Sequence, residues 1–287
     1  KSNVKKDVLS ADYNSLAVRL SIIADRFSGE EYERLLEKII GYYKKALECE
    51  PDDRIIQFNL LTTYRQLFDK DIMPEKEYLK YLRQFEDLYH ANVKDNDTEQ
   101  INYCANQLAL AYYKLERWDD AIEMVEKHDG EDFLTQYDFL RAKIMTGNPE
   151  HRKSVVVMIF DFISSQSLTN KEYLWNRMKT QLLTISWYIS DLAIEEDLIN
   201  VAEEIENREQ EYESLIVCTN FVAIKNKSER MADLSRRLLA KYLSIYSAGE
   251  FELRLIAKGL LLPECDKPTQ EMADAKLAEL RQFFIDN

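Results

Sequence analysis

Glycine and proline are scarce in this chain of 287 residues, which contains six glycines and five prolines. Ordinary usage is about 7% for glycine and about 5% for proline. Tight β-hairpins need these residues at fixed turn positions, so the chain cannot build many paired strands. Leu, Ala, Glu, Lys, Ile and Tyr dominate instead, and this composition favours helix. The sequence therefore predicts an all-α protein.

Cysteine and histidine are rare, which limits the chemistry available. The four cysteines include no CxxC pair, so we expect no disulfide framework and a reducing, cytoplasmic compartment. They are Cys49, Cys104, Cys218 and Cys265. The three histidines form no zinc motif, and no glycine-rich phosphate loop or GxSxG motif is present. They are His90, His128 and His151. We expect neither catalytic residues nor a cofactor or metal, so the protein is not expected to be an enzyme.

Long apolar runs and excess positive charge are also missing. No run reaches the roughly 18 apolar residues of a membrane span, and no signal peptide is present. The net charge is −14, from 38 basic and 52 acidic residues, which argues against nucleic acid or an anionic membrane as the main partner. The sequence does not indicate whether the chain is a monomer or an oligomer. Because the chain begins with Lys1 rather than Met, we expect it to be part of a larger multidomain protein.

Apolar residues recur with a helical period along most of the chain. The pattern predicts about fourteen helices, with the first at 12–27 and the seventh at 131–146. The segment "TGNPEHR" (146–152) supplies a glycine stop followed by a proline at a helix start. "SLTNKEY" (167–173) offers a Thr or Asn N-cap. Short connections favour antiparallel neighbours, and so many short helices suit a solenoid better than a bundle.

Two segments carry aromatic, alanine and leucine residues at recurring offsets. The first, "YYKKALECEPDDRIIQFNLLTTY", supplies Tyr43, Ala46, Leu47, Pro51, Leu60 and Tyr64. The second, "NQLALAYYKLERWDDAIEMV", supplies Leu108, Ala109, Tyr112, Trp118 and Ala121. This pattern resembles the tetratricopeptide repeat (TPR), a pair of helices that stacks with its neighbours. The resemblance implies a right-handed α-α superhelix, a TPR-like solenoid of about fourteen antiparallel helices.

The repeats are unevenly spaced. Tyr64 and Tyr112 are 48 residues apart, against about 34 in the family, so the unit between them is degenerate or has longer helices. The resemblance covers about 36–150, and a weaker unit starts at "QYDFLRAKIMTGN". We therefore predict TPR-like repeats over 1–150 and degenerate helical repeats that continue the solenoid over 151–287. A separate helical bundle over 151–287 is the alternative.

The resemblance also implies a binding surface. In this family the first helix of each unit lines a concave groove that holds a peptide, so the chain is expected to be a protein- or peptide-binding scaffold or sensor module. The matching positions are Phe58, Thr62, Arg65, Gln66, Tyr103, Asn106, Leu110, Tyr113 and Lys114. Tyr103 and Gln107 occupy positions where the chaperone-tail subtype has cations, which excludes that subtype. The alternative is that neighbouring helices fill the groove.

Charge is unevenly distributed near the end of the chain. Segment 194–213 has nine acids and one base, and segment 225–241 has six bases and two acids. The two segments are solvated faces or compensate one another across an antiparallel pair. Alternatively, the basic segment contacts an acidic partner or nucleic acid, which would make the chain a nucleic-acid-binding protein. A helical regulatory domain that responds to a small ligand is a third hypothesis.

Two alanines test the repeat alignment. Ala46 and Ala121 occupy positions where the second helix of a unit approaches its neighbours closely, so both are predicted to be almost fully buried. Tyr112 is predicted to pack within its own unit.

Overall fold

A computed structural model describes residues 2–128, 130, 134–164, 168, 172–204, 212–245, 250–265 and 267–286. Every regular element within these residues is an α-helix, which confirms the all-α prediction. The fourteen helices described are α1 (Ser2–Ala24), α2 (Gly29–Cys49), α3 (Arg54–Asp69), α4 (Glu75–Asp95), α5 (Thr98–Lys114), α6 (Trp118–Lys127), α7 (Gln136–Met145), α8 (Pro149–Ser164), α9 (Glu172–Asp191), α10 (Glu195–Glu204), α11 (Tyr212–Asn226), α12 (Glu229–Ile245), α13 (Glu250–Leu260) and α14 (Gln270–Asp286).

Local chemistry explains where several helices begin. The Asp53 carboxylate accepts hydrogen bonds from the backbone N–H groups of Ile55 and Ile56, at 2.9 and 3.0 Å. It thereby caps α3, whose first N–H groups have no partner inside the helix. The helix α8 begins at Pro149, shortly after Gly147, whose φ is +68°. This stop and start are those that the sequence predicts.

Two helix starts differ from the prediction. The prediction for α1 was wrong by ten residues, because the helix begins at Ser2 rather than at residue 12. Segment 2–11 contains too few apolar residues for a visible stripe, so its helix leaves no periodic signal. The helix α7 begins at Gln136, where the Thr135 hydroxyl accepts a hydrogen bond from the Asp138 N–H at 3.1 Å. The Thr or Asn cap predicted within 167–173 lies outside the described residues.

The chain divides into two compact units, residues 1–146 and residues 147–287. In the first unit each helix from α1 to α7 packs against the next, and α3 also packs against α5. The helix α4 contains 21 residues, longer than the helices of a repeat of about 34 residues. This long helix lies between Tyr64 and Tyr112 and contributes to their wide spacing.

Aromatic side chains fill much of the core of the first unit. Tyr78 and Phe85 are almost completely buried. The Phe68 and Tyr78 rings stack with centroids 4.4 Å apart, and the Tyr64 and Tyr81 rings stack at 3.6 Å. These two stacks join α3 to α4 on successive turns, and each adds to the free energy gained from burial alone.

The two test alanines are both buried. Ala46 and Ala121 both have 0% of their surface exposed, which confirms the prediction of burial. Tyr112 is also buried, and the Arg117 guanidinium lies 4.3 Å from its ring centroid. Its hydroxyl donates to Glu86 Oε1 at 2.8 Å. Tyr112 therefore packs within the pair of helices α5 and α6, as predicted, and its hydroxyl also reaches α4.

In the second unit, alternate helices pack against each other. Contacts join α8 to α10 and α10 to α12, and others join α9 to α11 and α11 to α13. The helix α11 also packs against α8 and α12. Most of its side chains from residue 214 to residue 223 are buried, on all sides of the helix, including Ile216, Val217, Cys218 and Phe221. A helix that lacks a polar face over this stretch fits such a central position.

A candidate binding face on helices α3 and α5

The contact between α3 and α5 brings several of the predicted groove residues together. The Phe58 ring of α3 lies 6.1 Å from the Tyr103 ring of α5, measured between centroids. The Phe58 ring also meets the Phe85 ring edge-on at 5.7 Å, which anchors it to the core. Tyr103 has 49% of its surface exposed, and its hydroxyl donates to Glu99 Oε1 at 3.2 Å. The face therefore presents one exposed aromatic residue, supported by the half-buried Phe58, which in turn packs on the buried Phe85.

Arg65 links the two helices through polar contacts. Its Nε donates to Gln107 Oε1 at 2.6 Å, and its guanidinium forms an ion pair with Asp69. The Gln107 amide in turn donates to Asn106 Oδ1 at 3.1 Å. Burial raises the pKa of Asp69, although Arg65 opposes this shift. The Arg65 side chain is only 11% exposed, so it is fixed in the interface between the helices.

Lys114 lies at the far end of the same face. Its ammonium group is 2.7 Å from Asp71 Oδ1 and 5.8 Å from the centroid of the Phe68 ring. Both predicted groove cations, Arg65 and Lys114, thus already have carboxylate partners inside the first unit. Because these charges are compensated, neither is available as a bare cation for a terminal carboxylate.

Tyr113 faces the following helices instead of α3. Its ring meets the Trp118 ring edge-on at 5.3 Å. Burial, reinforced by the nearby Asp138 carboxylate of α7, raises the pKa of Tyr113 to about 12. The structure therefore places Tyr113 between α5, α6 and α7, apart from the pair formed by Phe58 and Tyr103.

The remaining groove positions are half-buried. They are Thr62, Gln66, Asn106 and Leu110. The Thr62 hydroxyl oxygen is buried and has no hydrogen-bond partner among the described residues. A buried hydroxyl without a partner costs free energy, and a backbone carbonyl or an amide could accept its hydrogen bond.

Gln107 is a functional candidate that sequence reasoning did not include. It joins Arg65 to Asn106 by side-chain hydrogen bonds. The family comparison considered it only as a missing cation, and no local pattern indicates which side chain across a helix pair it meets. Its role follows from the packing of α3 against α5.

A separate cleft of about 420 Å³ lies between α2, α3 and α4. Leucine side chains and one alanine line it beside four polar residues. The lining residues are Leu47, Arg54, Gln57, Leu60, Leu61, Gln84, Asp87, Leu88 and Ala91. Its volume is within the range of small-molecule sites, about 300–1,000 Å³. The small-ligand hypothesis stays a prediction, and this cleft is where it would apply.

The basic segment 225–241 is mainly α12, and its charges meet acids of α10. Arg230 Nη2 donates to Glu196 Oε1 at 2.7 Å, and Arg237 Nη2 donates to Glu203 Oε1 at 2.6 Å. These ion pairs favour the interpretation of charge compensation between the two segments. Further acids of the 194–213 segment lie outside the described residues.

In the part of the chain that the structure describes, no group of three or more His, Cys, Asp or Glu side chains is able to hold a metal ion. No helix in the same part combines the length and apolar composition needed to cross a bilayer.

Comparison with protein-family models, curated proteins and solved structures finds no match to this chain. The geometry of the helices and the residue pattern are therefore the basis of the functional proposal.

Proposed function

We propose that the chain is a TPR-like scaffold or sensor module that binds a protein or peptide on the face formed by α3 and α5. The observation that carries this proposal is the exposed Tyr103 ring, which contacts Phe58 across two helices that occupy equivalent places in successive repeats. Aromatic anchors with buried support are the residues that dominate binding energy at protein interfaces.

The proposal includes a right-handed superhelix. Its support is the contact of α3 with α5 in the first unit, and the alternate-helix contacts of the second unit. Stacked helix pairs produce such contacts, because each pair packs against the next. The buried alanines, Ala46 and Ala121, fit the small-residue positions of the TPR pattern.

We also place the protein in the cytoplasm, which is consistent with its four free cysteines.

The charges and polar groups of the face limit the kind of segment that could bind to it. Its two cations are compensated by Asp69 and Asp71, so a free C-terminal carboxylate is a poor match. The net charge of −14 favours a neutral or basic segment. We therefore propose a peptide segment that places an apolar side chain beside Tyr103 and offers backbone groups to the amides of Gln66 and Asn106.

Substitution of Tyr103 tests this function. The full chain would be used as bait in a native lysate, and captured proteins would be compared with those captured by the Tyr103→Ala variant. We expect a discrete partner whose recovery falls at least tenfold in the variant, because a central aromatic anchor contributes about 2 kcal/mol or more. Since Tyr103 is half exposed, its loss should leave the circular dichroism melt unchanged.

The matched control is Trp187→Ala in the second unit, where the side chain is 51% exposed. This control should capture the partner as the parent does. Recovery of only abundant background proteins by the parent, or equal recovery by Tyr103→Ala, contradicts the proposed face.

A further inference from the structure

The helix α1 exposes an unusual amount of apolar surface. Side chains seven residues apart lie above one another on a helix, two turns apart. Leu9, Leu16 and Ile23 form such a row, and 44%, 40% and 43% of their surfaces are exposed. A second row contains Val8 and Ile22, which are 57% and 63% exposed, with the exposed Ser15 between them. A helix with only solvent on this side would carry polar residues there.

The opposite side of α1 is already occupied. Ser10, Ala17 and Ala24 form a row of small, buried residues. The Ser10 hydroxyl donates to the Ala46 carbonyl oxygen of α2 at 3.2 Å. This row lets α1 and α2 approach closely, so the exposed apolar rows are on the side away from that contact.

A pair of opposite charges lies between the two apolar rows. Asp12 and Arg19 are one heptad apart and both are exposed. Neither has an ion-pair partner among the described residues. Two turns of helix separate them by about 10.5 Å, too far for them to pair with each other. Each therefore presents an uncompensated charge between the two rows of exposed apolar side chains.

We propose that this face of α1 pairs with the same face of α1 from a second copy of the chain, with the two helices antiparallel. A two-fold axis midway between positions 12 and 19 places Asp12 opposite Arg19 of the second copy, and Arg19 opposite its Asp12. Leu16 lies next to this axis. The row of Leu9, Leu16 and Ile23 packs against the same row of the second copy, with Leu9 of each copy near Ile23 of the other. A parallel pair would instead place Asp12 beside Asp12, which is repulsive.

The arrangement explains why one face carries both apolar rows and an isolated charge pair. Burial of the apolar rows provides the free energy of association, and the charges select the antiparallel direction of pairing. A contact centred on one helix per copy is at the small end of protein interfaces, so the dimer should depend on concentration. Any measurement must therefore cover a wide range of chain concentration.

The oligomeric state of the full chain tests the proposal. Sedimentation equilibrium from about 1 to 200 µM should show a reversible dimer with twice the chain mass. Leu16→Glu should weaken the dimer at least tenfold, because it places two carboxylates near the axis in an apolar contact. The variant's circular dichroism melt, measured at a concentration where the parent is monomeric, should match that of the parent. Leu79→Glu, on an exposed leucine of α4 with 37% exposure, is the control and should leave the dimer intact.

Charge reversal tests the direction of pairing. In the proposed dimer, position 12 of one copy meets position 19 of the other. Asp12→Arg therefore brings two arginines together at each such contact, and Arg19→Asp brings two aspartates together. Each variant alone should dimerise at least tenfold more weakly. When the two variants are mixed, every contact joins an arginine to an aspartate, and dimerisation should return as a heterodimer. A parent that is monomeric at every concentration overturns the proposal. So does a dimer that withstands Leu16→Glu, or two charge variants that fail to restore each other.

Discussion

Single small residues set how closely the helices of the first unit approach. Ala121 lies in the first turns of α6 and is completely buried, and Ala46 is equally buried in α2. Neither position leaves space for a larger side chain without displacement of its neighbours. The TPR-like pattern of the sequence identified both alanines, because the family requires small residues where helices cross.

Replacement of Ala121 by glutamate tests this close approach. The variant would overfill the site and bury an unpaired carboxylate, so we expect a loss of at least about 3 kcal/mol of stability. Against a domain stability of about 5–15 kcal/mol, this loss should lower the melting temperature strongly, as measured by circular dichroism. Ala121→Ser should change stability much less.

The control for the added charge is Ala240→Glu, at an exposed position of α12, and it should melt like the parent. If Ala121→Glu also melts like the parent, the alignment of the best repeat is wrong. The groove residues inferred from that alignment would then lose their support.

Pairs of helices in the second unit depend on similar close contacts, and Gly259 provides the clearest example. A Cβ atom at Gly259 of α13 would lie 2.4 Å from Cγ2 of Val217 in α11. Val217 is completely buried and its branched side chain has little freedom to move. The glycine is therefore required by the distance between two helices, not by its backbone angles.

Gly259→Ala should destabilise the protein by about 1–3 kcal/mol, because the new methyl group overpacks the contact with Val217. The second substitution Val217→Ala should recover part of this loss by making room for it. Gly41→Ala in α2 is the matched control, since a Cβ there would meet nothing within 4 Å. In that helix interior the alanine should stabilise by about 0.5–1 kcal/mol. Denaturant titration of the variants measures these differences, and equal effects of the two glycine substitutions would contradict the steric explanation.

Charge is a property of the whole molecule, and it bears on the nucleic-acid hypothesis. The chain carries a net charge of −14, and within the described residues the basic helix α12 is neutralised in part by α10. Arg237 in particular pairs with Glu203 and with Asp233. Repulsion of phosphates by the whole chain therefore opposes any attraction by this helix.

The full chain should accordingly show no binding to mixed RNA or DNA at about 150 mM salt. Reversal of Arg236 and Arg237 to glutamate should change the measured anisotropy by less than twofold. Fluorescence anisotropy over a range of salt concentrations makes the measurement. Binding that strengthens steeply as salt is lowered and disappears in the reversed variant would instead support nucleic-acid recognition.

The sequence by itself determined the helical class and the stop and start at Gly147 and Pro149. These depend on local chemistry: the scarcity of glycine, the helical period, and the conformations that glycine and proline favour. Where the period was weak, as in segment 2–11, the prediction was wrong. The buried alanines were also predictable, because their positions follow from a repeat pattern.

Only the tertiary structure decided which side chains meet across helices. The hydrogen bond of Arg65 with Gln107 and the ion pair of Lys114 with Asp71 join residues more than forty positions apart. The packing of α3 against its neighbours sets these distances, and the periodicity within one helix carries no information about them. For the same reason, the sequence placed Arg65 and Lys114 among the groove residues but gave no indication that the folded chain pairs each of them with a carboxylate.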